Sequence, residues 1–253
     1  MNTVFAPPDP RFAGIDRLYG SGSALRLAGK SVAVVGIGGV GSWAAEALAR
    51  SGVGRITLID ADDICVSNTN RQLHALMSTV GRSKVAVLDA RLRDINPALA
   101  VDAVQEFLTP ANLERLLDRG YDLVLDACDA FRVKVETIVW CRRRKLPIVV
   151  CGAAGGRADP TLIRHRDLSR TEHDALLALI RKKLREEFRY PRGPKRYFGV
   201  PAVYSLENVR YPDACGTEGA AKLDCAGGLG AAMPVTATFG MVASALALRK
   251  LLG

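Results

Sequence analysis

The sequence predicts an α/β protein with a doubly wound, mostly parallel sheet. Three observations carry this. A β-branched run, Val32-Ala-Val-Val35, leads into Gly36-Ile-Gly38-Gly39-Val-Gly41 and then into an alanine-rich stretch. Short apolar runs recur at 56–60, 101–104, 123–126 and 148–151, with helical patterns between them. Strand and helix in alternation imply crossover connections, and hence parallel strands covered on both faces. The chain has 253 residues, 24% of them charged, which suits one domain over 1–253 with a substantial core.

Taken in order, Arg11-Phe-Ala-Gly-Ile-Asp-Arg17-Leu-Tyr-Gly20 reads as a short helical arm before the first strand. On its own, Arg17 is a surface arginine. The first strand ends in a GxGxxG turn of Rossmann-like type. Gly36 allows the tight turn, Gly38 lets backbone approach a ligand, and Gly41 lets the next helix pack close to the strand. That helix, read over 42–51, offers unpaired N–H groups and the positive end of its dipole to an anion. The motif specifies a nucleotide with phosphates, NAD being its commonest occupant and ATP the other. Asp60 ends the second strand 19 residues after Gly41, where a ribose-hydroxyl acceptor belongs. Its plainer role is a cap or loop carboxylate.

After Asp60 the chain departs from a dehydrogenase. Ala61-Asp62-Asp63 runs into the polar stretch Ser67-Asn68-Thr69-Asn70-Arg71-Gln72. Val80-Gly-Arg-Ser83-Lys84 then opens a helix with Val85, Leu88, Leu92 and Ile95 on one face, and Ser83 suits its N-cap. Lys84 sits in the first turn, where a cation opposes the helix dipole. It belongs there if it faces an anion. Arg71 and Lys84 could grip the outer phosphates of a triphosphate by charge-assisted hydrogen bonds. Asp129 follows the strand at 123–126, on the rim where doubly wound sheets hold ligands. A carboxylate beside a triphosphate is a natural Mg²⁺ ligand; its other role is to cap the helix read at 131–144.

From residue 159 the composition shifts. A short strand is read at 161–163 and an exposed amphipathic helix at 175–188. Residues 181–196 carry eight Lys or Arg against two Glu, with Phe188 and Tyr190 interleaved and Tyr197 just beyond. Around 181–220 the expectation is a basic, mobile insertion. Its cations Arg181, Lys182, Lys183, Arg185, Lys195 and Arg196 are candidate contacts to a nucleic-acid backbone. A formal net charge of +9 favours polyanionic partners such as RNA, DNA or anionic lipid. The apolar run from Met233 to Leu248 is 16 residues long, short of the ~20 that span a membrane. It reads as a buried or subunit-interface helix around 234–251, with membrane contact the lesser alternative. The six cysteines form no CxxC pair, which argues against a zinc site. Cys128 and Cys151, in apolar runs, read as inert thiols. No signal peptide is visible and a cytoplasmic location is expected.

The ordered set Gly36-x-Gly-Gly-Val-Gly41, Asp60, Ser67-Asn68-x-x-Arg71-Gln72, Lys84 and Asp129 resembles the ubiquitin-activating-like adenylating enzymes, which include molybdopterin- and thiamine-pathway relatives. That resemblance implies an ATP-binding adenylation domain that activates a carboxylate. Asp60 would hold the ribose with Asp62 close by; Asn68, Arg71 and Lys84 would hold the phosphates; Asp129 would hold Mg²⁺ or orient the α-phosphate. Arg17 would reach into the partner subunit's site, implying a homodimer. Arg11-Phe-x-Gly-x-x-Arg-Leu-Tyr-Gly20, Gly155-Gly-x-x-Asp-Pro-Thr161, the turn over 224–230 and Pro234-Val-Thr-Ala-Thr-Phe-Gly240 are similar to one subgroup, the bacterial tRNA threonylcarbamoyladenosine dehydratases. Its implied reaction adenylates the threonine carboxylate of the modified adenosine beside the anticodon, then closes a ring with loss of water. The implied partners are tRNA and a second copy of the chain, without DNA or zinc. The alternative is adenylation of a ubiquitin-like sulfur-carrier protein with sulfur transfer through Cys225, which would add a sulfur-relay partner.

Overall fold

The computed structural model describes residues 9–193, 195–211 and 229–253. Seven strands form one sheet: β1 (Ser31–Val35), β2 (Arg55–Ile59), β3 (Ala100–Val104), β4 (Leu123–Asp126), β5 (Ile148–Cys151), β6 (Ile163–Asp167) and β7 (Pro201–Ser205). Their order across the sheet is β3-β2-β1-β4-β5-β7-β6. All neighbouring pairs are parallel except β6 with β7.

Burial follows the two-residue period of the strands. Val32 and Val34, with Ile56, Leu58, Leu123 and Leu125, join the core beneath α3 (Gly41–Arg50), α4 (Lys84–Ile95) and α8 (Met233–Leu252). Ala33 and Val35, with Val124, Ile148 and Val150, face α5 (Leu113–Leu117), α6 (Phe131–Arg143) and α7 (Ala175–Glu187). From β1 the chain winds outward through β2 to β3, then returns to the other side of β1 at β4. That reversal opens a crevice at the carboxyl ends of β1 and β4, the general ligand position in such sheets.

The second half is more deeply built into the fold than its composition suggests. The expected insertion around 181–220 contains the end of α7 and all of β7, which fills the slot between β5 and β6. Ala202, Val203 and Tyr204 are completely buried. The strand is only five residues long and opens on Pro201, which donates nothing to the ladder; both features hide it in the sequence. The strand expected at 161–163 instead begins at Ile163 and runs to Asp167. Its exposed Arg164, His165 and Arg166 mark it as an edge.

Helix α8 buries much of its surface within the domain. Val235, Phe239, Ala243, Leu246 and Ala247 lie in the core with the α3 face of the sheet. Gly240 makes this crossing close: a Cβ there would lie 2.6 Å from the Val40 carbonyl oxygen and 2.9 Å from the Ala44 nitrogen. Among the described residues α8 is the one helix long and apolar enough to cross a membrane, but more than half of it is buried inside the domain.

The arm forms α1 (Ala13–Tyr19) and α2 (Ser23–Ala28). The Phe12 ring lies under Gly52, and Arg11 donates to the Ile95 carbonyl at 3.4 Å. These contacts seat the arm at the far ends of α3 and α4, the amino edge of the parallel strands.

Candidate active site

The glycine turn behaves as its spacing requires. Gly36 has φ +81°, and a Cβ on it would strike the Cys128 nitrogen at 2.8 Å. A Cβ on Gly41 would lie 1.8 Å from the Gly36 carbonyl oxygen, so no larger residue lets α3 start there. At Gly38 the nearest atom to an added Cβ is Gln72 Nε2, 3.9 Å away. The backbone at Gly38 is therefore open beside the N-terminus of α3, a seat for phosphate. Gly39 is tighter: Thr236 of α8 and Arg71 lie 3.3 Å and 3.4 Å from its Cβ position.

Asp60 is buried just past β2. Its Oδ2 accepts from the Ile37 N–H at 2.6 Å and its Oδ1 from the Asp62 N–H at 2.9 Å. It thus ties the glycine turn to the following loop. Asp62, half exposed, holds Lys84: Nζ lies 2.6 Å from Oδ2, and the lysine side chain is only 6% exposed. Ser83 occupies the N-cap position of α4, yet its hydroxyl makes no capping bond. The Lys84 N–H instead donates to the Asp62 carbonyl at 3.1 Å.

The polar stretch between β2 and α4 folds back over the cradle. Asn68 is buried and its Oδ1 accepts from the Cys65 N–H at 3.0 Å. Arg71 Nη1 donates to the Ser67 carbonyl at 2.7 Å and to Asn70 Oδ1 at 3.0 Å. The Arg71 carbonyl accepts from Trp43 Nε1 at 3.1 Å and Thr236 Oγ1 at 3.3 Å. Asn70 Nδ2 donates to the Ala231 carbonyl at 2.7 Å. Helix α8 and the residues before it therefore position Arg71, a link across 165 residues that local patterning does not reveal.

Three further groups escape a reading of the sequence. His74 is buried and neither ring nitrogen has a hydrogen-bond partner. Burial, and next the charge of Lys84, push its pKa down to about 4. Asp126 and Lys134 form a completely buried ion pair at 2.7 Å under the turn after β4. Burial opposes the lysine's charge, but the Asp126 carboxylate more than restores it and raises its pKa. Asp126 Oδ1 also accepts from the Cys128 N–H at 3.1 Å. Arg157 and Asp174, both with fully buried side chains and 3.8 Å apart, form the third group. Arg157 donates to the His173 carbonyl at 2.9 Å, and Asp174 accepts from the N–H groups of Ala153 and Leu177, both at 2.9 Å. They lash the loop after β5 to the start of α7. The two ion pairs need partners that only the folded chain supplies, and His74 is buried only by the fold.

The crevice thus gathers the open backbone at Gly38, Asp60, Asp62, Asn68, Arg71 and Lys84, with exposed Asp129 on the turn after β4. Ala130, not Asp129, is the N-cap of α6. Among the described residues no group of three or more His, Cys, Asp or Glu is gathered for a metal. Arg17 does not join the crevice of its own chain; it is exposed on α1 at the opposite edge. Of the basic residues, Arg181 bonds Thr171, Lys183 pairs with Glu187, and Arg185 stacks on Phe198 at 5.4 Å. Lys182, Lys195 and Arg196 are exposed. Burial raises the Cys151 pKa to about 12, as befits an inert thiol. Cys225 and the turn at 224–228 lie outside the described residues.

The family model described as the ThiF family matches residues 14–253. The chain belongs to the ThiF family. Among its ThiF relatives, the tRNA threonylcarbamoyladenosine dehydratase of Escherichia coli is 48% identical over 250 residues, 96% of this chain and 93% of that protein. The protein of the same name from Haemophilus influenzae is 46% identical over 247 residues, 96% of this chain and 94% of the relative. A crystal structure of the Escherichia coli enzyme, TcdA, in complex with ATP superimposes with a TM-score of 0.86 at 47% identity, covering 95% of this chain and 93% of that one.

Proposed function

We propose that this protein is an ATP-dependent tRNA threonylcarbamoyladenosine dehydratase. The observation that carries the reading is the crevice itself. Open backbone at Gly38, the first turn of α3, Arg71 on a pinned loop and Lys84 at the start of α4 together suit a triphosphate, in a chain that matches an ATP-binding dehydratase over nearly its whole length.

The chemistry divides between substrate and protein. The threonine carboxylate attacks the α-phosphorus of ATP and pyrophosphate leaves, giving a mixed anhydride with AMP. A nucleophile within the same side chain then attacks the activated carbonyl, loses its proton, and expels AMP carrying one of the original carboxylate oxygens. The sum is ring closure with loss of water. Because the attack is intramolecular, its effective molarity is high and no protein nucleophile is needed.

The protein's task is to neutralise charge and hold an in-line geometry. Arg71 and Lys84 grip the outer phosphates, Asn68 shapes the loop that carries Arg71, and Asp60 accepts from the ribose with Asp62 beside it. Asp129 would hold a Mg²⁺ ion as a single protein carboxylate, since Mg²⁺ is commonly held by one or two carboxylates plus substrate phosphates, and such an ion would supply positive charge to the phosphates. Arg17, remote from its own crevice, suits the partner subunit's site. The exposed cations Lys182, Lys195 and Arg196, with Arg181, Lys183 and Arg185 behind them, suit the tRNA backbone.

The test is mass spectrometry of nucleosides from threonylcarbamoyladenosine-bearing tRNA incubated with the protein and ATP. The expected result is loss of one water from the modified nucleoside, dependent on ATP. An unchanged nucleoside, with an adenylate instead on the C-terminus of a small carrier protein, would overturn the reading.

A further inference from the structure

At the edge of the sheet farthest from β3, Arg166, Asp167, Arg170 and Tyr197 line a cavity of about 370 Å³. It lies where β6 ends and β7 begins, since Asp167 is in register with Pro201. That is the amino edge of the parallel strands, opposite the crevice. Tyr197 is 64% exposed. The Arg170 guanidinium sits 5.1 Å from its ring centroid.

The walls are firmly built. The Asp167 carboxylate accepts from the N–H groups of Ser169, Phe198, Gly199 and Val200, at 3.0, 2.9, 2.7 and 3.1 Å. Phe198 is buried directly behind Tyr197, with Tyr190 edge-on at 4.9 Å. A buried anchor and four hydrogen bonds therefore hold an aromatic ring out in solvent. Arg166 is paired with Glu172 at 3.1 Å, but both are about half exposed, and such a pair contributes little and yields to a better anion. Lys195 and Arg196 stand next in the chain, both exposed.

We propose that this cavity is an RNA subsite that takes one nucleotide of the tRNA, its base stacked on Tyr197 and its phosphate on Arg170 and Arg166. Aromatic rings flanked by arginine are the usual means of holding an unstacked base without reading its sequence. The carboxylate of Asp167 is already occupied by backbone donors, so the cavity presents positive charge. The inference rests on tRNA being the substrate and extends it to a surface remote from the reacting carboxylate. A contact so placed contributes to binding, not to the chemical step.

The experiment measures tRNA binding and steady-state kinetics for Tyr197→Leu, Tyr197→Phe and Arg170→Ala. Tyr197→Leu is expected to raise Kd and KM for tRNA about tenfold with kcat and ATP affinity unchanged, and Tyr197→Phe to retain the wild-type values. Arg170→Ala should also lower the slope of log Kd against log salt by about one. A photo-crosslinking amino acid at position 197 should capture tRNA in the otherwise intact protein. Wild-type Kd and slope in both Tyr197→Leu and Arg170→Ala, or crosslinking to an acidic protein in place of tRNA, would overturn the proposal. Wild-type protein that binds tRNA but leaves its nucleosides unchanged would instead count against the dehydratase reading.

Discussion

Lys84 owes its position to Asp62, and the two have separable effects. Replacing Arg71 by Ala removes a cation from the proposed phosphate seat without opening the core, whereas Lys84→Ala also deletes a buried side chain. ATP–pyrophosphate exchange in the presence of substrate tRNA should fall by about 100-fold or more in both, while the thermal midpoint of Arg71→Ala changes little. Undiminished exchange would refute the grip. His74 makes a different prediction. In the unfolded chain it titrates near its ordinary value of 6.5, and in the folded protein only near 4. Its neutral form is the one that fits, so stability is full above about pH 6.5 and is lost as pH falls towards 4. The total is about 3 kcal/mol. Urea midpoints measured from pH 7 to 4 should decline, and His74→Leu should flatten that decline by about one proton; an unaltered slope would exclude His74 as the source. At this scale the sequence was most legible at Gly36 and Gly41, where one motif fixes both the backbone conformation and its neighbour. It was silent on Asp126 with Lys134, and on Arg157 with Asp174, because nothing local marks a charge that will be buried with a partner.

Helix α8 and helix α3 meet backbone to backbone at Gly240, and this contact lies directly behind the glycine turn. Gly240→Leu should destabilise the fold by several kcal/mol, since the added atoms meet main chain that cannot move aside. It should also weaken ATP binding in the protein that remains folded, because Val40 and Ala44 belong to the glycine turn and the first turn of α3, the proposed phosphate seat. Denaturation by urea and calorimetric titration with ATP measure the two effects; a variant of unchanged stability would show that the helices have room to part. Elements with strong periodicity were legible from the sequence to within a residue or two: β4, β5, α4 and α6. Two were not. β6 carries charges outward, as an edge strand should, and so loses its apolar signature. β7 is short and apolar without alternation, and what identifies it as a strand is the open slot beside β5.

Across the whole molecule, the two ends of the sheet have different contents. The glycine turn with Arg71 and Lys84 lies at the carboxyl edge; the arm with Arg17 and the Tyr197 cavity lie at the amino edge. If Arg17 serves a partner's crevice, the two halves of a complete site come from different subunits. Mixing equal amounts of Arg17→Ala and Lys84→Ala proteins, each inactive alone, should then restore about a quarter of wild-type activity. Half the dimers would be mixed, and each would hold one intact site. No recovery after subunit exchange would place Arg17 outside the reaction. The position of the crevice between β1 and β4 was legible in the sequence because sheet topology follows from the order of the elements. The basic region was only half legible: composition counted its charges, but not that Arg181, Lys183 and Arg185 are held by neighbours of their own.

The late arrival of β7 between two strands made before it has a consequence for biosynthesis. When a nascent chain has emerged through β6 and α7, β5 still has a bare row of peptide groups on one side, and β6 has no strand to lie against. The ladder closes only after residues 201–205 leave the ribosome, and α8 can seal one face only later still. Growth of this sheet during translation therefore ends in a single late step, and ribosomes stalled before that point would hold a sticky intermediate for chaperones to shield.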